Sequence, residues 1–113
     1  MKLGGLGIDM LEIRRFKTLG KNNRFLKNNF SKQELDYCFS FTDYATRLAG
    51  TFCAKEAVFK SLDKNMLFSQ IEVRRESNGK PTIWIGGRKE KSINVSISHT
   101  KTLAFAIAIK NEH

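Results

Sequence analysis

Three polar residues stand where apolar ones are expected. Asp9 follows the glycine-rich stretch Gly4-Gly5-Leu6-Gly7-Ile8, and His99 closes the apolar alternation of Val95 and Ile97. Glu56 interrupts the row Leu48, Phe52, Phe59, which follows a 3.6-residue period. A carboxylate on such a row needs a partner, because burying an unpaired charge is very costly. Lys60 stands four residues on, in the favourable Glu-before-Lys order, so the plain reading is a surface ion pair. Taken with Asp9, a second reading opens. Two carboxylates with no Cys/His cluster nearby argue against structural zinc. They suit Mg²⁺, which takes one or two carboxylates, keeps waters and completes its octahedron with phosphate oxygens. Lys55 and Lys60, beside Glu56, would add positive charge for those phosphates. The turn Asn78–Pro81 could offer backbone groups to the same ligand. On its own, His99 reads first as a hydrogen-bonded histidine at a strand end.

The elements that must position these groups can be read from pattern. Leu6, Ile8 and Met10 alternate with Gly7 and Asp9 as a short strand, with Asp9 on the face opposite the apolar set. A helix is expected from about Glu12, with Ile13, Phe16 and Leu19 inward, stopping near Gly20. Arg24-Phe25-Leu26 belongs to a second short helix or turn. Ser31-Lys-Gln-Glu34 is a capping box opening a helix that carries Leu35, Cys38 and Phe39. A long helix then runs from a cap at Asp43 to about Leu62. Beyond it the period changes to two. Ile71 and Val73 mark a strand, Ser77-Asn-Gly-Lys80 a hairpin with two positive φ angles, and Pro81 the entry to Thr82–Ile85. After Gly86-Gly87, two further strands, 94–99 and 103–109, are joined by a tight turn at Thr100–Lys101. In the last one Leu103, Phe105, Ile107 and Ile109 line one face and alanines the other, so the long helix is expected against the alanines. Strand, helices, then strands predict an α+β fold: one domain over 1–113, a long central helix on a mainly antiparallel sheet.

The totals narrow the class. With 113 residues, 41% of them hydrophobic, the chain suits one modest core, and no apolar run approaches membrane-spanning length. The opening residues are too short and glycine-rich for a signal peptide. A cytoplasmic protein is expected, with Cys38 and Cys53 as small buried residues in a reducing compartment. Twenty Lys and Arg against eleven Asp and Glu leave a net charge of +9, which asks for an anionic partner. Much of it lies between Arg14 and Lys32, where basic residues occur without an acidic one.

Four blocks together resemble a known family. Gly7-Ile8-Asp9 with Glu12-Ile13 and Arg15 looks like the N-terminal signature of the holo-[acyl-carrier-protein] synthases. Phe52-Cys-Ala-Lys-Glu-Ala-Val-Phe-Lys60 is close to their F-A-x-K-E-A-x-x-K helix. Asn78-Gly79-Lys80-Pro81 is similar to their G-K-P turn, and Val95–Thr100 to their S-I-S-H-T strand end. Blocks, order and spacing extend over nearly the whole chain. The resemblance implies transfer of 4′-phosphopantetheine from coenzyme A to a serine of acyl carrier protein, releasing adenosine 3′,5′-bisphosphate. It implies Mg²⁺ on Asp9 and Glu56, Lys60 near the phosphates, and Gly79, Lys80, Pro81, His99 and Thr100 bordering the coenzyme. It also implies a homotrimer with active sites between subunits. Two departures stand out. Cys53 replaces the usual Ala, and Thr51 stands where many members carry Arg, so Arg47, one turn earlier, is assigned part of that phosphate contact.

Phosphoryl-type transfer asks the protein for positioning and charge neutralisation. The serine proton still needs an acceptor, either Glu56 through a water or His99. Because acyl carrier proteins are acidic helical domains, the basic segment gains a use: Arg15 and Arg24 as carrier contacts, Phe25 as an apolar anchor. The rival class is a small basic nucleic-acid-binding module without catalysis. Against it, Trp84 and Phe105 are isolated in their strands, and Asp9 with Glu56 would repel phosphate unless a metal intervened.

Overall fold

The computed structural model describes residues 2–63 and 65–112. The first strand, β1 (Lys2–Glu12), is longer than its alternating core predicts, and it pairs antiparallel with the last, β6 (Leu103–Glu112). On the other side β6 pairs with β5 (Ile93–His99), giving an antiparallel sheet in the order β1-β6-β5. A second antiparallel sheet holds β2 (Ile71–Arg75), β3 (Pro81–Ile85) and the two-residue β4 (Arg88–Lys89). Between them in the chain lie three helices: α1 (Arg24–Asn29), α2 (Lys32–Phe39) and α3 (Tyr44–Ser61). The α+β order therefore holds, with the strands divided between two sheets.

The helix expected from Glu12 is only a single 3₁₀ turn, Ile13–Phe16. Pairing with β6 continues to Glu12 opposite Leu103, and the Ile13 amide then donates to the Thr102 carbonyl at 2.9 Å. That bond keeps the chain extended until the turn starts. Ile13 and Phe16 are still buried, as their spacing requires. The hairpin at Ser77–Lys80 differs from expectation too. Only Gly79 has a positive φ, 87°, and Glu76 and Lys80 close around a three-residue loop, Glu76 N donating to Lys80 O at 2.9 Å. An ordinary turn followed by one left-handed glycine suits that loop length.

α2 opens with the reciprocal capping box: Glu34 N donates to Ser31 Oγ, and Ser31 N to Glu34 Oε1 at 2.8 Å. α3 has Asp43 at its N-cap position, although the Asp43 carboxylate takes Arg47 Nε (3.3 Å) instead of a backbone amide.

α3 lies diagonally across the larger sheet. Gly50 meets Ile97 of β5, the Cys53 thiol donates to Ala104 O of β6 at 3.5 Å, and its last turns rest on β1. Helix-facing positions of the sheet are small: Gly5 and Gly7 on β1, and the buried Ala104, Ala106 and Ala108 on β6. A methyl group added to Gly7 would run into the Ala57 carbonyl, and one on Gly5 into that of Ser61. Here glycine is needed for space, since helix backbone touches strand backbone. Gly7→Ala should cost about 1–3 kcal/mol, the usual cost of overpacking. Chemical denaturation would measure it, and an unchanged midpoint would refute the contact.

On the opposite face of this sheet β1 and β6 are apolar and uncovered, while β5 presents Asn94, Ser96 and Ser98. Leu6 sits across from Ile109, Ile8 from Ile107 and Met10 from Phe105. Leu6, Ile8 and Met10 are 55%, 64% and 58% exposed.

Candidate active site

The side chains of β1 alternate, so Asp9, in register with the buried Ala106, points to the same side as α3. The backbone contact at Gly7 brings that strand against the turn of α3 that carries Glu56 and Lys60. Asp9, Glu56 and Lys60 thus come together from residues some fifty positions apart. Lys60 Nζ donates to Asp9 Oδ1 at 3.2 Å and to the Ile8 carbonyl at 3.0 Å. The plain Glu56–Lys60 ion pair is accordingly not formed; the lysine is taken by Asp9.

Glu56 is half-buried, and no described residue gives it a hydrogen bond or an ion pair. Desolvation pushes its pKa up, the Asp9 charge adds to the rise, and Lys60 opposes it. Two carboxylates that repel each other in a partly desolvated corner, one without a donor, fit a hard cation. Among the described residues no group of three or more His, Cys, Asp or Glu is placed to hold a metal. Oxygen ligands beyond this pair would come from substrate and water. Beneath Asp9, the buried Cys53 thiol is pushed up to about 12, chiefly by burial and then by the Asp9 charge, so it stays an inert thiol. Cys38 is also buried, and neither cysteine is in a disulfide.

Lys55 requires a correction. Neighbours on a helix are rotated by about 100°, so Lys55 turns away from Glu56 and into the core, where it is 1% exposed. Its Nζ donates to Glu34 Oε1 (2.8 Å) and to the Asn29 carbonyl (2.6 Å). A lysine so buried and so partnered is not presented to a phosphate. Glu34, which the sequence marks only as a cap residue, also accepts from Val73 N through Oε2 at 2.7 Å. One carboxylate therefore ties α2, α3 and β2 together. The only signal available beforehand was a lysine among Ala54, Ala57 and Val58, which demands an anion.

The other candidates lie apart. His99 is exposed at the end of β5, two strand spacings from β1, about 10 Å across the sheet. Its Nδ1 lies 3.1 Å from the Thr100 carbonyl, and Thr100 Oγ1 accepts from Leu103 N. Gly79, Lys80 and Pro81 form the far tip of the β2–β3 hairpin. Arg47 lies more than two turns before Glu56 on α3, its guanidinium 4.0 Å over the Phe41 ring, and Thr51 is buried against Cys38. Arg15 and Arg24 are exposed and form no ion pair among the described residues. Phe25, 38% exposed, leans on Phe16 and Phe52 with ring centroids 6.3 and 5.5 Å away.

Comparison with known proteins decides what this corner belongs to. Residues 5–109 match the family described as the 4′-phosphopantetheinyl transferase superfamily. The chain belongs to that superfamily. This transferase is 36% identical to a holo-[acyl-carrier-protein] synthase of Caldicellulosiruptor saccharolyticus, over 92% of this chain and 93% of that one. Among solved structures, the Bacillus anthracis holo-(acyl-carrier-protein) synthase in complex with CoA (3′,5′-ADP) superposes with a TM-score of 0.80 at 26% identity, covering 99% and 100% of the two chains. The Helicobacter pylori holo-[acyl-carrier-protein] synthase in complex with coenzyme A gives 0.76 at 26% identity, covering 94% and 99%.

Proposed function

We propose that this transferase moves the 4′-phosphopantetheine group of coenzyme A onto a serine of an apo-acyl carrier protein, releasing adenosine 3′,5′-bisphosphate. The observation that carries the reading is the Asp9/Glu56 pair with Lys60 beside it, in a chain that belongs to this superfamily. Mg²⁺ held by Asp9 and Glu56 would polarise the diphosphate of coenzyme A and stabilise the leaving bisphosphate. Lys60 contributes a further positive charge to the same oxygens. Glu56 takes the serine proton through one intervening water. A pH–rate profile governed by a group near neutrality, and lost in His99→Ala, would move that role to the histidine.

His99, Thr100 and the 78–81 turn border the coenzyme in this reading, with Arg47 as a phosphate contact. Within one chain, β6 lies between His99 and Asp9. The site is read as lying between two copies, for which the uncovered face of β1 and β6 would supply an apolar surface for association. The proposed assembly is a homotrimer acting in the cytoplasm, and sedimentation should return the mass of three chains. No described helix is long and apolar enough to cross a membrane.

The carrier docks on the basic segment, Arg15 and Arg24 meeting its acidic groups and Phe25 its apolar ones. Arg15→Glu should raise the KM for the carrier about tenfold and leave the KM for coenzyme A unchanged; a matched loss of both would reject the assignment. The decisive assay incubates the protein with apo-carrier, coenzyme A and Mg²⁺ and weighs the carrier by mass spectrometry. An unmodified carrier would reject the reading.

A further inference from the structure

Lys60 does more than neighbour a diphosphate. Its ammonium bridges Asp9 Oδ1 (3.2 Å) and the Ile8 carbonyl (3.0 Å), so it occupies one of the two Asp9 oxygens open to a cation. Its side chain is 50% exposed while that of Asp9 is 19% exposed, which makes the lysine the partner free to swing away. Glu56, one turn back on α3, receives no hydrogen bond or ion pair from the described residues. The corner therefore holds one neutralised carboxylate and one waiting.

We propose that Lys60 is a resident counter-cation of Asp9 that a divalent ion must displace, so that metal uptake and delivery of the Lys60 ammonium to the coenzyme's diphosphate are a single coupled event. This rests on the reading of Asp9 and Glu56 as the metal pair. An ammonium and a divalent ion on one carboxylate repel each other, so each weakens the other's hold on it. Without the nucleotide, the displaced ammonium has only water and the Ile8 carbonyl to go to, and metal binding is weakened. With a diphosphate present it has an anion to meet. Metal and coenzyme A then favour each other reciprocally, as linkage requires.

The test is Mn²⁺ binding followed by electron paramagnetic resonance, with the Mn²⁺ held by free coenzyme A subtracted. Without coenzyme A, Lys60→Met and Lys60→Gln should bind Mn²⁺ about fivefold more tightly than wild type, the upper worth of an exposed ion pair. Coenzyme A should tighten Mn²⁺ about tenfold in wild type and much less in either variant. Lys110→Met serves as the control for a general change in field, since Lys110 lies on β6 opposite Gly5 and takes no part in the Asp9 contact. Two variants of different polarity, each checked by thermal melting, guard against a folding defect. Unchanged Mn²⁺ affinity in both Lys60 variants overturns the proposal, as does equal tightening in Lys110→Met. Those results leave the metal pair standing if Asp9→Asn still abolishes binding. Absence of Mn²⁺ binding in wild type rejects the pair itself and this proposal with it.

Discussion

Replacing Asp9 by Asn should lower phosphopantetheine transfer about 10³-fold and leave the fold intact. A cation clamp on a diphosphate is worth several kcal/mol in the transition state, and each ~1.4 kcal/mol is a factor of ten. Asn keeps the shape of Asp and an oxygen for Lys60, so the contact on β1 survives while the negative charge does not. Glu56→Gln should act in the same direction. Chelation of wild type should give a loss of similar size, reversed by added Mg²⁺, whereas Asp9→Asn should not regain its rate at any reasonable Mg²⁺ concentration. Counting holo-carrier by mass spectrometry under single-turnover conditions reads all of these. A loss below tenfold in Asp9→Asn, with Mg²⁺ dependence retained, would remove the carboxylate from the reaction.

The second large effect concerns stability. Lys55→Met should cost about 3–5 kcal/mol, because it strands the Glu34 carboxylate in the core without its cation. Glu34 is 2% exposed, and its pKa is already raised by burial against the opposing pull of Lys55. Removing the lysine raises it further. A carboxyl whose folded pKa is raised contributes most below its unfolded pKa and loses that contribution as pH rises through the folded value. The deficit of Lys55→Met should therefore shrink as the pH is lowered and widen as it is raised. Adding Glu34→Gln should recover much of the loss, since a neutral amide oxygen can still accept from Ser31 N or Val73 N. Denaturant titrations of the two single variants and the double would show it. If Lys55→Met instead melted like wild type and bound coenzyme A more weakly, the lysine would belong to the phosphates after all.

These residues also mark where sequence patterns stop. The capping box at Ser31 and Glu34 is local, so spacing alone exposed it, together with the helix it opens. That the same carboxylate meets Lys55 and Val73 depends on how three elements pack, which no window around Glu34 contains. The apolar stripe of α3 likewise placed Leu48 inward, yet α3 is covered on several sides and buries Lys55 and Thr51 as well. A single stripe therefore understates it. The alternating alanines of β6 were legible as the seat of that helix because size alone decides the matter. The missing helix after Glu12 was not, since the bond that forestalls it comes from Thr102 at the other end of the chain. At the site, Asp9, Glu56 and Lys60 were each visible as oddities of pattern. Which of the two acids takes the lysine was a question only the backbone contact at Gly7 could answer.

That contact has a mechanical consequence. A helix resting on side chains can rise or settle as rotamers change, whereas α3 over Gly7 has only main chain beneath it and almost no travel. The gap separating the acid on the strand from the acid on the helix is thereby gauged by bond lengths and atomic radii. Repacking elsewhere in the interior would loosen the molecule long before it changed that spacing.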